Sequence, residues 1–169
     1  YNLLMMEITF ITTGGTIDKD YAVGIGTYDF TIVDPVISKV LQNIKPNFNY
    51  QVLPILKKDS LDLNDVDRAL IVETCINQKN EKIIITHGTD TMCETAKLLG
   101  EREMEKTIVL FGSMVPYAVN NSDSLFNFGC ALGSLQLLGH GVYVAMNGRV
   151  LPWSDVEKNR SLGIFQSLN

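Results

Sequence analysis

The sequence predicts an α/β fold of three layers, with helices on both faces of a Rossmann-like, mostly parallel sheet. Three observations carry this. Apolar runs of strand length alternate along the chain with amphipathic segments of helix length, the pattern of a sheet covered on both sides. Central runs such as Ile83-Ile84-Ile85 are unbroken rather than alternating, as expected of strands buried on both faces. No internal repeat, low-complexity stretch or linker interrupts the pattern, and 169 residues suit one domain with a single substantial core.

In chain order, Ile8 to Thr12 is predicted as the first strand, running into Gly14-Gly15. A loop rich in Gly, Asp and Tyr follows from Asp18 to Tyr28. Asp34 before Pro35 predicts a helix start, an N-cap followed by proline at the first helical position, with the helix ending near Ile44 ahead of Pro46. Tyr50 to Ile55 reads as a second strand. Asn64 or Asp65 opens a helix to about Gln78, with Val66, Leu70, Cys75 and Ile76 as its apolar positions. Lys82 to Thr86 is the next strand, and Asp90 is placed to cap a helix reaching Leu99. A buried strand over Thr107 to Phe111, a helix from Asp123 to about Leu138 and a strand over Gly141 to Met146 complete the alternation. Asn147-Gly148 is a turn dipeptide and predicts a short hairpin with Arg149 to Leu151.

Composition narrows the function classes. Fourteen basic against nineteen acidic residues leave a net charge of −5, with no basic cluster for nucleic acid and no basic amphipathic stripe for a membrane surface. No apolar run approaches the ~20 residues that span a bilayer. Cys75, Cys93 and Cys130 are scattered without a CxxC pair, which reads as reduced thiols in a cytoplasmic core. With only His87 and His140 beside them, no Cys/His metal set is expected. Met5 or Met6 is the expected start, so residues 1–5 are set apart as non-native or disordered.

Two segments could carry chemistry. Thr12-Thr13-Gly14-Gly15-Thr16-Ile17 directly follows a strand. Two glycines there let the backbone turn sharply and approach a ligand closely, at the strand end where open α/β sheets bind small molecules. The plainer reading is a tight turn with an incidental threonine. A nucleotide site is disfavoured, because both GxGxxG and the Walker lysine are missing. Thr86-His87-Gly88-Thr89-Asp90-Thr91 also ends a strand and opens a helix. Hydroxyls, a carboxylate and helix-start amides meet there, and Asp90 could hold an amino acid's ammonium. Here too a plain turn with a capping aspartate is the alternative.

Taken together the two segments resemble the T-G-G-T-I and H-G-T-D-T signatures of the bacterial L-asparaginase family, and the resemblance covers essentially the whole chain as that family's N-terminal domain. It implies that Thr16 is the nucleophile on a side-chain amide. Thr89 and Asp90 assist it as members of a Thr-Lys-Asp triad, and Asp90 also contacts the substrate's amino group. Tyr21-Ala-Val-Gly24 is similar to the tyrosine-bearing lid loop, with Tyr21 orienting Thr16 and Tyr28 as a second candidate. Lys58-Asp59-Ser60-Leu61-Asp62 resembles the segment that binds the substrate α-carboxylate, with Ser60 as the matching serine and Asp59 beside it. Gly15 and Gly88 supply close backbone approach, and Ser113 of Gly112-Ser113-Met114 lines the pocket near the leaving amide. Phe126-Asn127 and Met146-Asn147 match as well.

Three departures accompany these matches. The family's triad lysine, sought in the helix after Phe126-Asn127, falls on Leu138, which leaves Lys57, Lys58 or Lys97 as substitutes. Val115 stands where the family has arginine, and Leu61 follows Ser60 where larger enzymes are polar. Residues 155–169 resemble the lead into the family's C-terminal domain, which is absent. With Lys158-Asn159-Arg160 near its end, the chain is similar to short, single-domain asparaginase-like proteins and is expected to be a natural short form.

The expectation is an amidohydrolase of L-asparagine or a related small amino-acid amide. It works without cofactor, in the cytoplasm, as a homodimer or homotetramer. Acyl-enzyme and direct displacement both stay open. The alternative is a binding or sensing module for aspartate or asparagine. Trp153 is expected at a subunit contact, and His87 is expected to be structural.

Overall fold

A computed structural model describes residues 5–21 and 29–168. Its central sheet has six strands in the order β4-β1-β5-β6-β7-β8. These are β1 (Glu7–Gly14), β4 (Asn49–Lys58), β5 (Lys82–Thr86), β6 (Thr107–Phe111), β7 (Gly141–Met146) and β8 (Arg149–Pro152). The first five run parallel and β8 returns antiparallel from β7. The three-layer α/β expectation therefore holds. The Asn147-Gly148 turn takes positive φ at both residues, 53° and 75°, as a two-residue hairpin turn requires.

Helices α1 (Val36–Ile44) and α4 (Ser124–Leu137) cover one face of the sheet. Ile37, Val40, Leu41, Phe128, Ala131 and Leu135 pack there on Ile8, Phe10, Ile84, Val109 and Phe111. Helices α2 (Asp65–Asn77) and α3 (Met92–Gly100) cover the other face, bringing Ile71, Val72, Cys75, Met92, Ala96 and Leu99 onto Ile11, Ile83, Ile85, Ile108 and Leu110. From β5 to β6 and from β6 to β7 the chain steps the same way across the sheet, yet α3 and α4 lie on opposite faces. The two crossovers thus have opposite hands. The connections through α1 and α2 share the hand of α3, so the one through α4 is the exception to the usual right-handed rule.

Local expectations fail where a partner distant in sequence intervenes. Asp34 does not cap α1. Its side chain is fully exposed, Pro35 occupies the cap position, and the first helical N–H, that of Val36, donates to the buried Asp18 at 2.8 Å. The segment after Asp18 is not all loop, because β2 (Lys19–Tyr21) pairs antiparallel with β3 (Phe30–Ile32). In α2 the predicted face is displaced. Val66 is 77% exposed and Leu70 and Ile76 also face solvent, while Arg68 joins Ile71, Val72 and Cys75 inside. Arg68 can occupy that stripe because its guanidinium reaches the Leu63 carbonyl and Glu94 over a buried stem. Asn64 and Asp67 form the expected kind of helix start, a reciprocal capping box with both bonds at 3.0 Å.

After β8 the chain crosses the α2/α3 face. Trp153 lies against α3, where a Cβ on Gly100 would sit 2.3 Å from its indole, and the ring is half-buried. A final hairpin, β9 (Glu157–Asn159) with β10 (Ile164–Gln166), is anchored by buried Val156 and Phe165. Among the described residues no helix is long and apolar enough to cross a membrane.

Candidate active site

The chain leaves β1 toward β4 on one side of the sheet and occupies β5 to β7 on the other, so β1 and β5 flank the point where strand order reverses. Ligands of open α/β sheets bind outside the carboxyl ends at such a point. Thr16 follows β1 and Thr89 follows β5, so both candidate segments meet there.

The glycines explain how closely they meet. Gly14 has φ +98° and Gly15 φ +85°, and the Gly15 N–H donates to the Lys58 carbonyl at 2.9 Å. A Cβ on Gly15 would lie 2.5 Å from the Gly88 nitrogen, and one on Gly88 would lie 2.6 Å from Ser60 Oγ. Three turns therefore interlock through bare backbone. Gly15→Ala is expected to destabilise the fold by about 2–5 kcal/mol, combining a backbone region open only to glycine with an unrelievable overlap. Urea unfolding checks this, and an unchanged midpoint would show that the turns are not in contact.

Thr16 is half-buried in a short 3₁₀ turn, and among the described residues no side chain is hydrogen-bonded to its hydroxyl. Tyr21 is not brought to it. Its ring is 55% exposed and packs on Phe30 at a centroid distance of 4.4 Å. Ala22 to Gly24 and Tyr28 lie outside the described residues. Thr89 is buried, and its hydroxyl accepts a bond from Lys158 Nζ at 2.8 Å. The same ammonium donates to Asp90 Oδ1, also at 2.8 Å. Arg160 adds a fork, Nη1 to Asp90 Oδ1 at 2.8 Å and Nη2 to the Asp90 carbonyl at 3.0 Å. Asp90 is thus engaged by two cations and does not cap α3, whose cap position is Thr91.

The expectation of a missing lysine is overturned. Leu138 ends α4, half-buried against the α1/α4 core. That helix runs antiparallel to the strands, so its last residue lies at the amino edge of the sheet, away from Thr16 and Thr89. Lys57, Lys58 and Lys97 are no substitutes, being paired with Asp34, Asp67 and Glu101. The lysine beside Thr89 and Asp90 is Lys158, delivered by β9. Its signal in the sequence is Lys158-Asn159-Arg160, two cations two residues apart where β9 gives way to a turn.

Ser60 is buried, and its hydroxyl accepts the Asp90 N–H at 3.2 Å while its carbonyl accepts from the Thr91 hydroxyl at 2.8 Å. Asp59 pairs with Lys19 at 2.6 Å. Burial pushes the Asp59 pKa up, but the bonds from Lys19 and from backbone N–H groups outweigh it, and the net shift is downward. Ser113 is buried just past β6, and among the described residues its hydroxyl has no hydrogen-bond partner, nor do the hydroxyls of Thr12 and Thr86. Asp123 holds the backbone beyond Ser113, accepting the Met114 and Val115 N–H groups at 3.0 Å. His87 is structural. Burial depresses its pKa to about 4, Nδ1–H donates to the Gly88 carbonyl, and Nε2 accepts from Thr95. The neutral ring therefore fixes the turn ahead of Thr89. Among the described residues no group of three or more His, Cys, Asp and Glu gathers to hold a metal.

Asp18 links the Thr16 turn to α1 and is buried with its pKa raised to about 6. Desolvation is the main cause, partly countered by the Val36 N–H and by Lys57. The folded state holds this proton more tightly than the unfolded chain, so the group costs stability as pH rises from 3.8 to about 6. Asp18→Asn keeps an acceptor for Val36 and removes the charge. Its expected effect is a gain of up to about 3 kcal/mol at pH 7 to 8, vanishing below about pH 4. Thermal melts across that range check it, and a gain of equal size at low pH would refute the charge explanation.

Doubly wound order, with hydroxyl, carboxylate and ammonium groups gathered at the switch point, is the arrangement at which α/β proteins bind small molecules. The chain belongs to the asparaginase family: residues 7–169 match the family model described as asparaginase, N-terminal. It is 34% identical to a probable periplasmic L-asparaginase of Haemophilus influenzae over 96% of this chain and 50% of that protein. It is 32% identical to L-asparaginase 2 of Escherichia coli over 99% of this chain and 51% of that protein. Among solved structures it is similar to the thermostable L-asparaginase of Thermococcus kodakarensis, with a TM-score of 0.85 and 29% identity over 97% of this chain and 52% of the other. The chain spans about half the length of the curated relatives it matches.

Proposed function

We propose that the chain hydrolyses the side-chain amide of L-asparagine or a related small amino-acid amide. The observation that carries this reading is Lys158 Nζ bonded at 2.8 Å to both Thr89 and Asp90, opposite the Thr16 turn. Thr16 Oγ attacks the amide carbon. Lys158 passes a proton through the Thr89 hydroxyl to the amide nitrogen and takes the Thr16 proton in its place, so that the C–N bond breaks, nitrogen departs as ammonia and the ammonium is restored. Water then releases aspartate. The oxyanion falls among N–H groups of the two glycine turns. Asp90 meets the substrate ammonium, and Ser60 with Asp59 lies at the carboxylate end. Ser113 lines the leaving-group side, and closure of Tyr21 over Thr16 requires its ring to leave Phe30.

The same reading has the chain acting in the cytoplasm, as a homodimer or homotetramer. Free Cys75, Cys93 and Cys130 support a reducing compartment. The test is ammonia release by this chain from L-asparagine, L-glutamine and D-asparagine, with its mass in solution measured alongside. Release from L-asparagine supports the reading. Saturable binding of L-aspartate or L-asparagine without release would replace it with a binding or sensing module.

A further inference from the structure

We propose that Arg160 is a specificity-determining residue that weakens the site's demand for an α-ammonium group on its substrate. The inference rests on the proposed function only in taking Asp90 as the group facing the ligand's α-substituent.

Arg160 is not a loose surface arginine. It follows β9 in a turn closed by one side chain, since Asn159 Oδ1 accepts from Ser161 Oγ at 2.7 Å and from the Leu162 N–H at 3.2 Å. Asn159 Nδ2 donates across the hairpin to Gln166 Oε1 at 3.3 Å. Phe165 on the return strand is buried, and its N–H donates to Asn147 Oδ1 at 2.8 Å. The turn is thereby tied to the sheet and to the core. From it, the guanidinium spans the Asp90 carboxylate and the Asp90 carbonyl. A planar fork holding two acceptors of one residue is an oriented contact rather than a screened encounter.

Charge decides what this contact does. Lys158 and Arg160 both bond to Asp90 Oδ1, so one carboxylate faces two full positive charges. Lys158 is needed at Thr89. Among the described residues the Arg160 side chain bonds to Asp90 only, and it is 61% exposed. A ligand ammonium approaching Asp90 therefore meets a carboxylate that is already over-neutralised. A ligand with hydrogen or a neutral group at the α-carbon forgoes little. The site should accept amides of dicarboxylic acids that lack the α-amine, such as succinamate, nearly as well as L-asparagine.

The experiment compares wild type, Arg160→Gln and Arg160→Lys. It measures kcat and KM for L-asparagine and succinamate, and calorimetric Kd for L-aspartate and succinate. Removing the charge should raise the preference for the ammonium-bearing partner of each pair about five- to tenfold, chiefly in KM and Kd. Arg160→Lys, which keeps the charge, should stay near the wild-type ratios. A Gln variant with unchanged ratios overturns the inference, as does a Lys variant that behaves like Gln. If no protein releases ammonia, the hydrolase reading fails while the Kd ratios still decide this one. A shift of the stated size supports it, and no shift, or no binding of either acid, overturns it.

Discussion

Thr16→Ala is expected to lower ammonia release from L-asparagine by at least about 10³-fold while leaving the affinity for L-aspartate within about threefold. The reasoning is geometric. Thr16 stands on a turn that two positive-φ glycines force against the Gly88–Thr89 turn, and no structural bond among the described residues depends on its hydroxyl. Removing Oγ therefore takes away the attacking atom and disturbs little else. Turnover and calorimetric binding, measured on the same preparation, separate the outcomes. Equal turnover in both proteins would remove Thr16 from the role of nucleophile. A change in affinity alone, with no turnover to lose, would favour the sensing module.

Lys158→Met is expected to reduce kcat by about 10²–10⁴-fold with a smaller change in KM, the range typical of losing a positioned proton-transfer group. Methionine fills the same channel without a polar atom, and Arg160 still partners Asp90, so no bare carboxylate results. Lys158→Arg is the discriminating companion. It restores positive charge but cannot give up its proton, so it should not restore the rate. Full recovery by arginine would mean that Lys158 supplies only electrostatic attraction. Far-UV circular dichroism and melting temperature would show that both variants keep the fold.

Much of this architecture was readable before any coordinates. Unbroken runs such as Ile83-Ile84-Ile85 and the glycine-ended strand before Thr16 follow from burial and backbone sterics, which act locally. What escaped depended on partners far along the chain. Asp18 caps α1 from eighteen residues before Val36, so the nearer Asp34 was the natural but wrong choice. In α2, Val66 and Leu70 form one plausible stripe, and only Glu94 and the Leu63 carbonyl make Arg68 tolerable on the true one. The lysine was sought in α4 because the family resemblance was read as placing it in the helix that carries Phe126-Asn127. Direction along the helix excluded it, since a segment that starts at the carboxyl edge must finish at the other. Lys158 lay beyond a hairpin, and its place depends on how the chain re-crosses the sheet.

The unusual hand of the crossover through α4 has an architectural cost and a return. With α4 beside α1, α3 covers the opposite surface over β7, and Trp153, Val156 and Phe165 extend that cover toward β8. The final hairpin can lie there only because α4 does not. A redesign that idealised this connection to the common hand would move fourteen residues of helix onto the hairpin's berth. It would evict Lys158 from Thr89 without altering a single residue around the threonines. Topology here acts at a distance on the proposed site, invisible to any alignment of motif positions.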